Sequence, residues 1–418
     1  MINIPLYPRH IQPRLLEALA DSPVVLVHGP RQCGKSTLAR TVGDGAGYTY
    51  ITFDDDVLRA AATADPVGFT GDLGSRVILD EVQRVPGLFT SIKAAVDRDR
   101  TPGRFILTGS ANVLLLPNLA DSLAGRMDIL RLHPLAQTEL AGNLPGFLDT
   151  LFHGGFKAAA HQRLGRELAE RIVAGGYPSA LTRSSSRRRT AWYRDYIETL
   201  VQRDARHLAR ISAMDTLPRL LTLAAGQTAR LLNVADLSAP FQLSRPTIRE
   251  YVTLLSRLFL LEELPPWHSN RLSRLIKTPK LHLGDTGVAC ALLGLNAETL
   301  ASDRTLLGQL LESFVFQELR RQASWHEEPV TFYHFRDKDG VEVDIVLEGD
   351  GQRLAGVEVK ASATVTPADF KGLRKLKEAT GERFATGVVL YDGESTVSFG
   401  ESLFAVPIRS LWEVAVNL

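Results

Sequence analysis

The sequence predicts an α/β protein organised on a parallel sheet, followed by a helical middle and a second α/β unit. Three observations predict it. Gly29-Pro30-Arg31-Gln32-Cys33-Gly34-Lys35-Ser36 fits the P-loop pattern G-x-x-x-x-G-K-[ST] at every fixed position. Further apolar runs end in acidic or small polar residues and are separated by helical segments, which is the alternation of a parallel sheet covered on both faces. Near the C-terminus, strand-like runs carry Asp344 and then Glu358-Val359-Lys360.

Taken in order, Val24-Val25-Leu26-Val27-His28 reads as a buried strand and Ser36 through Thr41 as the opening of a helix. The turn between them points backbone N–H groups at one spot, with the positive end of the helix dipole behind them. Gly29, Pro30, Arg31, Gln32, Cys33, Gly34, Lys35, Ser36 and Thr37 are therefore the expected ATP contacts. Lys35 would reach the β/γ-phosphates and the Ser36 hydroxyl would ligate Mg²⁺. Cys33 reads as a small residue fitting the turn.

Tyr48 to Phe53 reads as a second strand ending in Asp54-Asp55-Asp56. Arg76-Val77-Ile78-Leu79 then runs into Asp80-Glu81, a Walker-B arrangement that puts Asp80 in the Mg²⁺ shell and Glu81 against the attacking water. A fourth strand, from Arg104 to Thr108, ends in Gly109-Ser110-Ala111-Asn112. In P-loop ATPases with an extra strand between the two Walker strands, this end senses the γ-phosphate. Ser110 is the first choice and Asn112 the second, and either would equally cap a following helix. Arg126 precedes a fifth strand and is a candidate arginine finger, in cis or toward a neighbouring subunit. The competing reading is a surface ion pair of little energetic weight.

The sequence resembles the AAA+ superfamily. Within it, the chain is similar to a prokaryotic family that joins this module to a helix-rich middle and a C-terminal PD-(D/E)xK nuclease-like domain. The phrases carrying the likeness are GPRQCGKST, VILDEVQ, FILTGSAN, LAGRMDILRLHPL, GGYPSAL, RLIKTPKLHLGDTGVACALLG, LLESFVFQEL, GVEVDIVL and GVEVK. They span nearly the full length. With the reading of the middle given below, four segments are expected: an ATPase domain over 1–150, a helical lid over 151–230, a winged helix-turn-helix over 231–280 and a restriction-endonuclease-like domain over 281–418.

In the middle, helical periodicity dominates 160–230, broken at Gly175-Gly176-Tyr177-Pro178. Ser184-Ser185-Ser186-Arg187-Arg188-Arg189 reads as a short basic loop, solvated or touching phosphate. Asn233 to Leu237 suggests a capped short helix. Ser244 is a plausible N-cap for a second helix, with Pro246 in its first turn and Ile248, Tyr251, Val252, Leu255 and Leu258 on one face. Two helices with an extended return through Leu264 to Trp267 read as a winged helix. Arg245, Thr247 and Arg249 would stand at the end that meets base edges. Residues 201–280 hold 12 Lys/Arg against 6 Asp/Glu, consistent with phosphate contacts. Winged helices also serve protein packing.

In the last segment, Leu306 to Leu319 reads as an amphipathic helix carrying Glu312 and Glu318. Strands follow at Phe332–Phe335, Val341–Leu347 and Gly356–Lys360. Alternate strand residues share a face, so Glu342 goes with Asp344 and Glu358 with Lys360. Asp344 and Glu358 are the expected metal ligands and Lys360 the group that orients water. The likeness adds an acid from the preceding helix; Glu312 matches best and Glu318 is the reserve. Glu-Val-Lys is also a common solvated alternation, and domains of this shape can bind without cutting.

Composition bounds the rest. The 418 residues suit about three domains. Net charge is +1, so any basic surface is local. Cys33 and Cys290 are the only cysteines, which disfavours a disulfide framework and fits a reducing cytoplasm. No signal peptide and no apolar run approaching ~20 residues is visible, so a cytoplasmic protein without a membrane span is expected. The histidines show no zinc spacing, and the G-x-S-x-G elbow is missing. The reading is an ATPase using ATP and Mg²⁺ to act on nucleic acid, DNA foremost, as a homo-oligomer, with a ring as one form of it. The alternatives are an ATP-controlled switch or scaffold whose last domain binds without cleaving, and a winged-helix regulator.

Overall fold

The computed structural model describes residues 6–110, 123, 125–143, 146–205, 216–270, 274, 277–414 and 416–417. The chain divides into two compact units, residues 6–135 with 257–259 and residues 136–256 with 260–418. Four segments were expected.

The N-terminal unit runs α1 (Gln12–Asp21), β1 (Val24–His28), α2 (Lys35–Gly43), β2 (Thr49–Thr52), α3 (Asp56–Ala64), α4 (Pro66–Gly71), β3 (Val77–Asp80), α5 (Leu88–Arg98), β4 (Phe105–Gly109) and β5 (Met127–Arg131). All five strands are parallel, in the order β2-β3-β4-β1-β5. β4 thus lies between β1 and β3, the extra strand that the sequence reading placed there. Val24, Leu26, Val77, Leu79, Phe105 and Leu107 pack with Phe89, Ile92 and Val96 of α5. The alternate residues Val25, Val27, Ile78 and Ile106 are equally inaccessible. Burial on both faces explains why these strands read as continuous apolar runs rather than alternating ones. Each such side chain stabilises the fold by about 1.5–3 kcal/mol.

The boundary expected at 150 falls at 135/136 instead. The separate helical lid expected over 151–230 is part of the C-terminal unit. Its members are α6 (Gln137–Ala141), β6 (Ala159–Ala160), α7 (Arg166–Ala174), α8 (Ser186–Thr199) and α9 (Thr216–Gly226). The physical reason is where their apolar faces are buried. β6 pairs with strands of the C-terminal sheet, while α7, α8 and α9 gather round a later helix, Thr286–Leu293. The run Arg187-Arg188-Arg189, expected as a loop, is the first turn of α8, capped by the Ser185 hydroxyl accepting from Arg188 N at 3.3 Å.

Next come β7 (Arg230–Leu231), α10 (Val234–Ser238), α11 (Arg245–Arg257), β8 (Leu261–Leu264), β9 (Lys280–Leu283) and α12 (Thr286–Leu293). The three strands form an antiparallel sheet in the order β7-β9-β8 beside the two helices. Asn233 caps α10, and the Ser244 hydroxyl accepts from Thr247 N at 3.2 Å as α11 begins.

The remainder is α13 (Arg304–Ala323), β10 (Thr331–Arg336), β11 (Glu342–Glu348), β12 (Leu354–Lys360), α14 (Lys371–Thr380), β13 (Phe384–Tyr391), β14 (Ser395–Ser398), β15 (Leu403–Pro407) and β16 (Val416–Asn417). The sheet order is β10-β11-β12-β13-β15-β14-β6-β16. β10, β11 and β12 are antiparallel neighbours, whereas β12, β13 and β15 run parallel. α14 is the crossover between β12 and β13, and its Leu373 and Leu376 pack on Val343, Val346 and Val389. α13, expected to be amphipathic, is buried on nearly every side from Leu307 to Gln322, because it lies between this sheet and neighbouring helices.

Candidate functional site

The first site gathers at the carboxyl ends of β1, β3 and β4. After His28 the chain turns through Gly29 to Gly34, and α2 starts at Lys35. A Cβ at Gly29 would lie 2.1 Å from Leu132 O, so only glycine allows β1 and the residue after β5 to approach this closely. Gly34 sits at φ 104°, again a glycine conformation. Cys33 is fully buried against Leu132 O, which fits the small-residue reading. Arg31 and Gln32 complete the loop, and Thr37 is exposed on the first turn of α2.

Lys35 is buried, and its Nζ donates to Gly29 O at 3.1 Å and Pro30 O at 2.8 Å. The ammonium is thereby held over the loop it would serve. Ser36 Oγ donates to Asp80 Oδ1 at 2.7 Å. Asp80 also accepts from the Tyr50 hydroxyl at 2.8 Å and from Thr108. Burial and the Asp80 bond push the Tyr50 phenol up to about 12, so it stays a donor. Glu81 follows at φ 58°, a left-handed conformation that a non-glycine residue adopts at a cost of about 1–3 kcal/mol. Its Oε2 accepts from Ser110 Oγ at 2.8 Å and from the Gln83 amide. Ser110, at the end of β4, thus touches the acid expected to face water. Asn112, the second choice, lies outside the described residues.

Arg126 is elsewhere. Val24 pairs with Met127 and His28 with Arg131, so Arg126 precedes β5 at the amino edge of the sheet. The P-loop leaves the carboxyl edge, roughly 15 Å away at ~3.3 Å per residue. Arg126 Nε donates to Asp97 Oδ1 at 2.6 Å, so a finger role in cis is corrected to an ion pair.

The second cluster lies in the C-terminal unit. β11 delivers Asp344, β12 delivers Glu358 and Lys360, and α13 delivers Glu312. Lys360 Nζ donates to Glu358 Oε1 at 3.0 Å. Asp344 Oδ2 accepts from Val359 N at 3.0 Å. Between Glu312 and Asp344 stands Lys280 of β9. Its Nζ lies 2.8 Å from Glu312 Oε1 and 3.2 Å from Asp344 Oδ1. Burial works against that ammonium, but Asp344 and Glu312 outweigh it and hold Lys280 protonated. Burial and the Asp344 carboxylate push Glu358 up to about 8. Glu318, the reserve acid, is remote from this cluster. It is fully buried, accepts from Gln137 N at 2.8 Å and pairs with Arg321 at 2.8 Å. Arg321 also pairs with Asp285, which accepts from Gly176 N and caps α12.

The AAA domain family matches residues 21–141. Two domains of unknown function, DUF8612 and DUF4143, match 165–299 and 307–411. An uncharacterised protein of Mycobacterium tuberculosis is 30% identical over 396 residues, covering 94% of this chain and 82% of its own length. A Mycobacterium bovis counterpart gives the same figures. The chain belongs to their family. Residues 21–141 of this family member are an AAA-type ATPase domain. Among solved structures, a Walker-type ATPase of Pyrococcus abyssi is 16% identical, with 69% of this chain and 96% of that one covered, at a TM-score of 0.44. The RuvB Holliday junction branch migration motor of Thermotoga maritima is 16% identical, with 62% and 90% covered, at 0.27. No helix among the described residues is long and apolar enough to cross a membrane.

Within the N-terminal unit, sequence reasoning missed several residues. The Arg9 guanidinium donates to Cys33 O and His133 O, each at 2.7 Å, and so pins the P-loop backbone. Tyr50 and Thr108 fix Asp80 from neighbouring strands. Arg131 ends β5 beside His28 and lies 5.0 Å over the Phe259 ring. The register of β5 puts Arg131, and not Arg126, at the carboxyl edge of the sheet.

Proposed function

We propose that this protein binds ATP with Mg²⁺ through Gly29 to Thr37 and hydrolyses it to act on DNA. The observation that carries the reading is the convergence of Lys35, Ser36, Asp80, Glu81 and Ser110 at one sheet edge, with bonds at 2.7 and 2.8 Å linking Ser36 to Asp80 and Ser110 to Glu81. A hydroxyl beside a carboxylate is a hard-oxygen donor set that fits Mg²⁺. Bound there, Mg²⁺ would neutralise phosphate charge.

This chain's own groups do the rest. Lys35 exchanges its two carbonyl acceptors for phosphate oxygens, a charge-assisted and stronger bond. Glu81 orients water toward the γ-phosphorus and takes its proton. Ser110, already bonded to Glu81, couples that acid to the γ-phosphate. Because Arg126 is held at the far edge, an arginine reaching the γ-phosphate comes from elsewhere; a neighbouring copy in a homo-oligomer is the source this reading favours.

The DNA part rests on α10, α11 and the β7-β9-β8 sheet read as a winged helix. Arg245 is exposed at the start of α11, while Thr247 is engaged by the Ser244 cap and Arg249 by Glu263 at 3.0 Å. The C-terminal unit, with α13, three antiparallel strands, the α14 crossover and parallel β13, is read as PD-(D/E)xK-like. The Lys280 ion pairs favour binding without cleavage over cutting. The test incubates the protein with supercoiled, linear and branched DNA and Mg²⁺, with and without ATP. DNA-stimulated ATPase that Lys35→Ala abolishes is the expected result; ATP turnover surviving in Lys35→Ala would remove the P-loop from the reaction.

A further inference from the structure

The carboxylate cluster of the C-terminal unit has a donor set that suits a divalent cation, yet four of its oxygens already accept from an ammonium or a backbone N–H. Glu312 Oε1 and Asp344 Oδ1 both face Lys280 Nζ, at 2.8 and 3.2 Å. Asp344 Oδ2 accepts from Val359 N, and Glu358 Oε1 accepts from Lys360. Glu358 Oε2 is buried without a hydrogen-bond partner. Among the described residues, no group of three acidic, histidine or cysteine side chains is arranged to hold a metal. The residues therefore do not fit the metal that a nuclease of this shape would use.

We propose that Lys280 is a tethered cation standing where that metal would stand, so that the cluster is a metal-free binding site rather than a cutting one. The proposal rests on the PD-(D/E)xK-like reading of α13 and β10 to β13. Its physical basis is charge. Carboxylates buried side by side cannot all ionise without a cation between them. A divalent ion or an ammonium can supply it, and here the ammonium of Lys280 lies between Glu312 and Asp344. The Lys280 side chain is 3% exposed, so its charge is committed to these partners.

The tether is stiff. β9 is the central strand of its sheet, and Lys280 pairs with Leu231 on one side and Leu264 on the other. The backbone therefore cannot swing the ammonium away while the sheet persists. The other cation of the cluster, Lys360, pairs with Glu358 rather than standing between Glu312 and Asp344, and the nearby histidines add none at neutral pH. His282 and His334 are both buried and their pKa values are lowered, first by burial and then by Lys280 itself, so the rings are neutral. A neutral Lys280 substitution would leave Glu312, Asp344 and Glu358 facing each other and create demand for a metal.

The experiment titrates nucleotide-free, full-length protein with Mn²⁺ by calorimetry. Wild type is expected to show no saturable site that Asp344→Asn removes. Lys280→Gln is expected to gain one saturable site per chain, lost again in Lys280→Gln/Asp344→Asn, with Mn²⁺ raising its unfolding temperature but not that of wild type. Saturable Mn²⁺ binding to wild type that Asp344→Asn abolishes would overturn the proposal, and this needs no variant at Lys280 to fold. A folded Lys280→Gln that gains no site would also overturn it. DNA binding of wild type is measured on the same preparation. If the Mn²⁺ results hold and DNA does not bind, the Lys280 assignment stands and the nucleic-acid reading fails alone.

Discussion

Ser36 Oγ lies 2.7 Å from Asp80 Oδ1, joining the first turn of α2 to the end of β3 across 44 residues of sequence. The bond places a P-loop hydroxyl and a Walker-B carboxylate at one point. Tyr50 and Thr108 hold the same carboxylate from β2 and β4. Asp80→Asn keeps the shape but halves the acceptor capacity. It is expected to lower ATP turnover by about 10²-fold. Steady-state phosphate release at several Mg²⁺ concentrations checks this, and unchanged Mg²⁺ dependence would count against the assignment.

Glu81 is expected to act on water rather than on nucleotide affinity. Glu81→Gln should bind ATP as wild type does and hydrolyse it about 10²- to 10⁴-fold more slowly, the range a positioned base contributes. Filter binding and single-turnover hydrolysis separate the two effects. Ser110→Ala removes one bond to Glu81 and should give a smaller loss of the same kind.

Arg126 and Asp97 form a pair with both partners substantially solvated, the Asp97 side chain 37% exposed. Screened pairs of this sort contribute little to stability. Arg126→Ala should therefore leave stability nearly unchanged, and single-turnover hydrolysis by dilute protein within about twofold. A large loss appearing only at concentrations where the protein self-associates would reassign Arg126 to a neighbouring subunit's nucleotide.

How much of this was legible in the sequence follows from distance along the chain. The P-loop and Asp80-Glu81 are contiguous, and their chemistry fixes their spacing, so they could be read directly. Ser110 was legible because an apolar strand must end where its polar residues begin. A cis role for Arg126 fails because a residue preceding a parallel strand lies at the amino edge, which residue type alone does not reveal. Glu318 follows Glu312 by six residues, about 240° round the helix at ~3.6 residues per turn, so the two could not share a site. Lys280 was invisible. Its partners lie 32 and 64 residues away, and nothing in Thr278-Pro279-Lys280 announces them. The helices of 151–230 could be recognised as helices, but periodicity does not say which unit buries their apolar faces.

The phrases GGYP, GDTG and the end of QELRR meet at one buried network rather than at a reaction centre. Arg321 pairs with Glu318 at 2.8 Å and Asp285 at 3.1 Å, and all three are essentially inaccessible. Asp285 accepts from Gly176 N at 2.8 Å, and a Cβ at Gly175 would lie 2.3 Å from Asp285 Oδ1. Arg321→Met leaves two buried acids without their cation and is expected to destabilise the C-terminal unit by about 3–5 kcal/mol. Urea unfolding at pH 7 measures it. Replacing Glu318 and Asp285 by their amides in the same variant should recover part of the loss.

The two units should respond unequally to mild acid. In the N-terminal unit, burial and then the charges of Arg131 and Lys35 lower the His28 pKa from 6.5 to about 4. The folded state therefore binds fewer protons than the unfolded chain between those values. The stability this contributes is present above about pH 6.5 and is lost as pH falls toward 4, about 2 kcal/mol of it by pH 5. In the C-terminal unit Glu358 is raised to about 8, so its contribution is present below about pH 4.5 and lost as pH rises through 8. That gain on acidification offsets the loss from His334, whose pKa is lowered to about 4 by burial and then Lys280. Hydrogen exchange, corrected for intrinsic rates, should show β1 and β4 losing about 30-fold protection between pH 7 and pH 5. β11 and β12 should lose less. His28→Asn should flatten the N-terminal response specifically, and an unchanged slope in that variant would show that another group carries the proton.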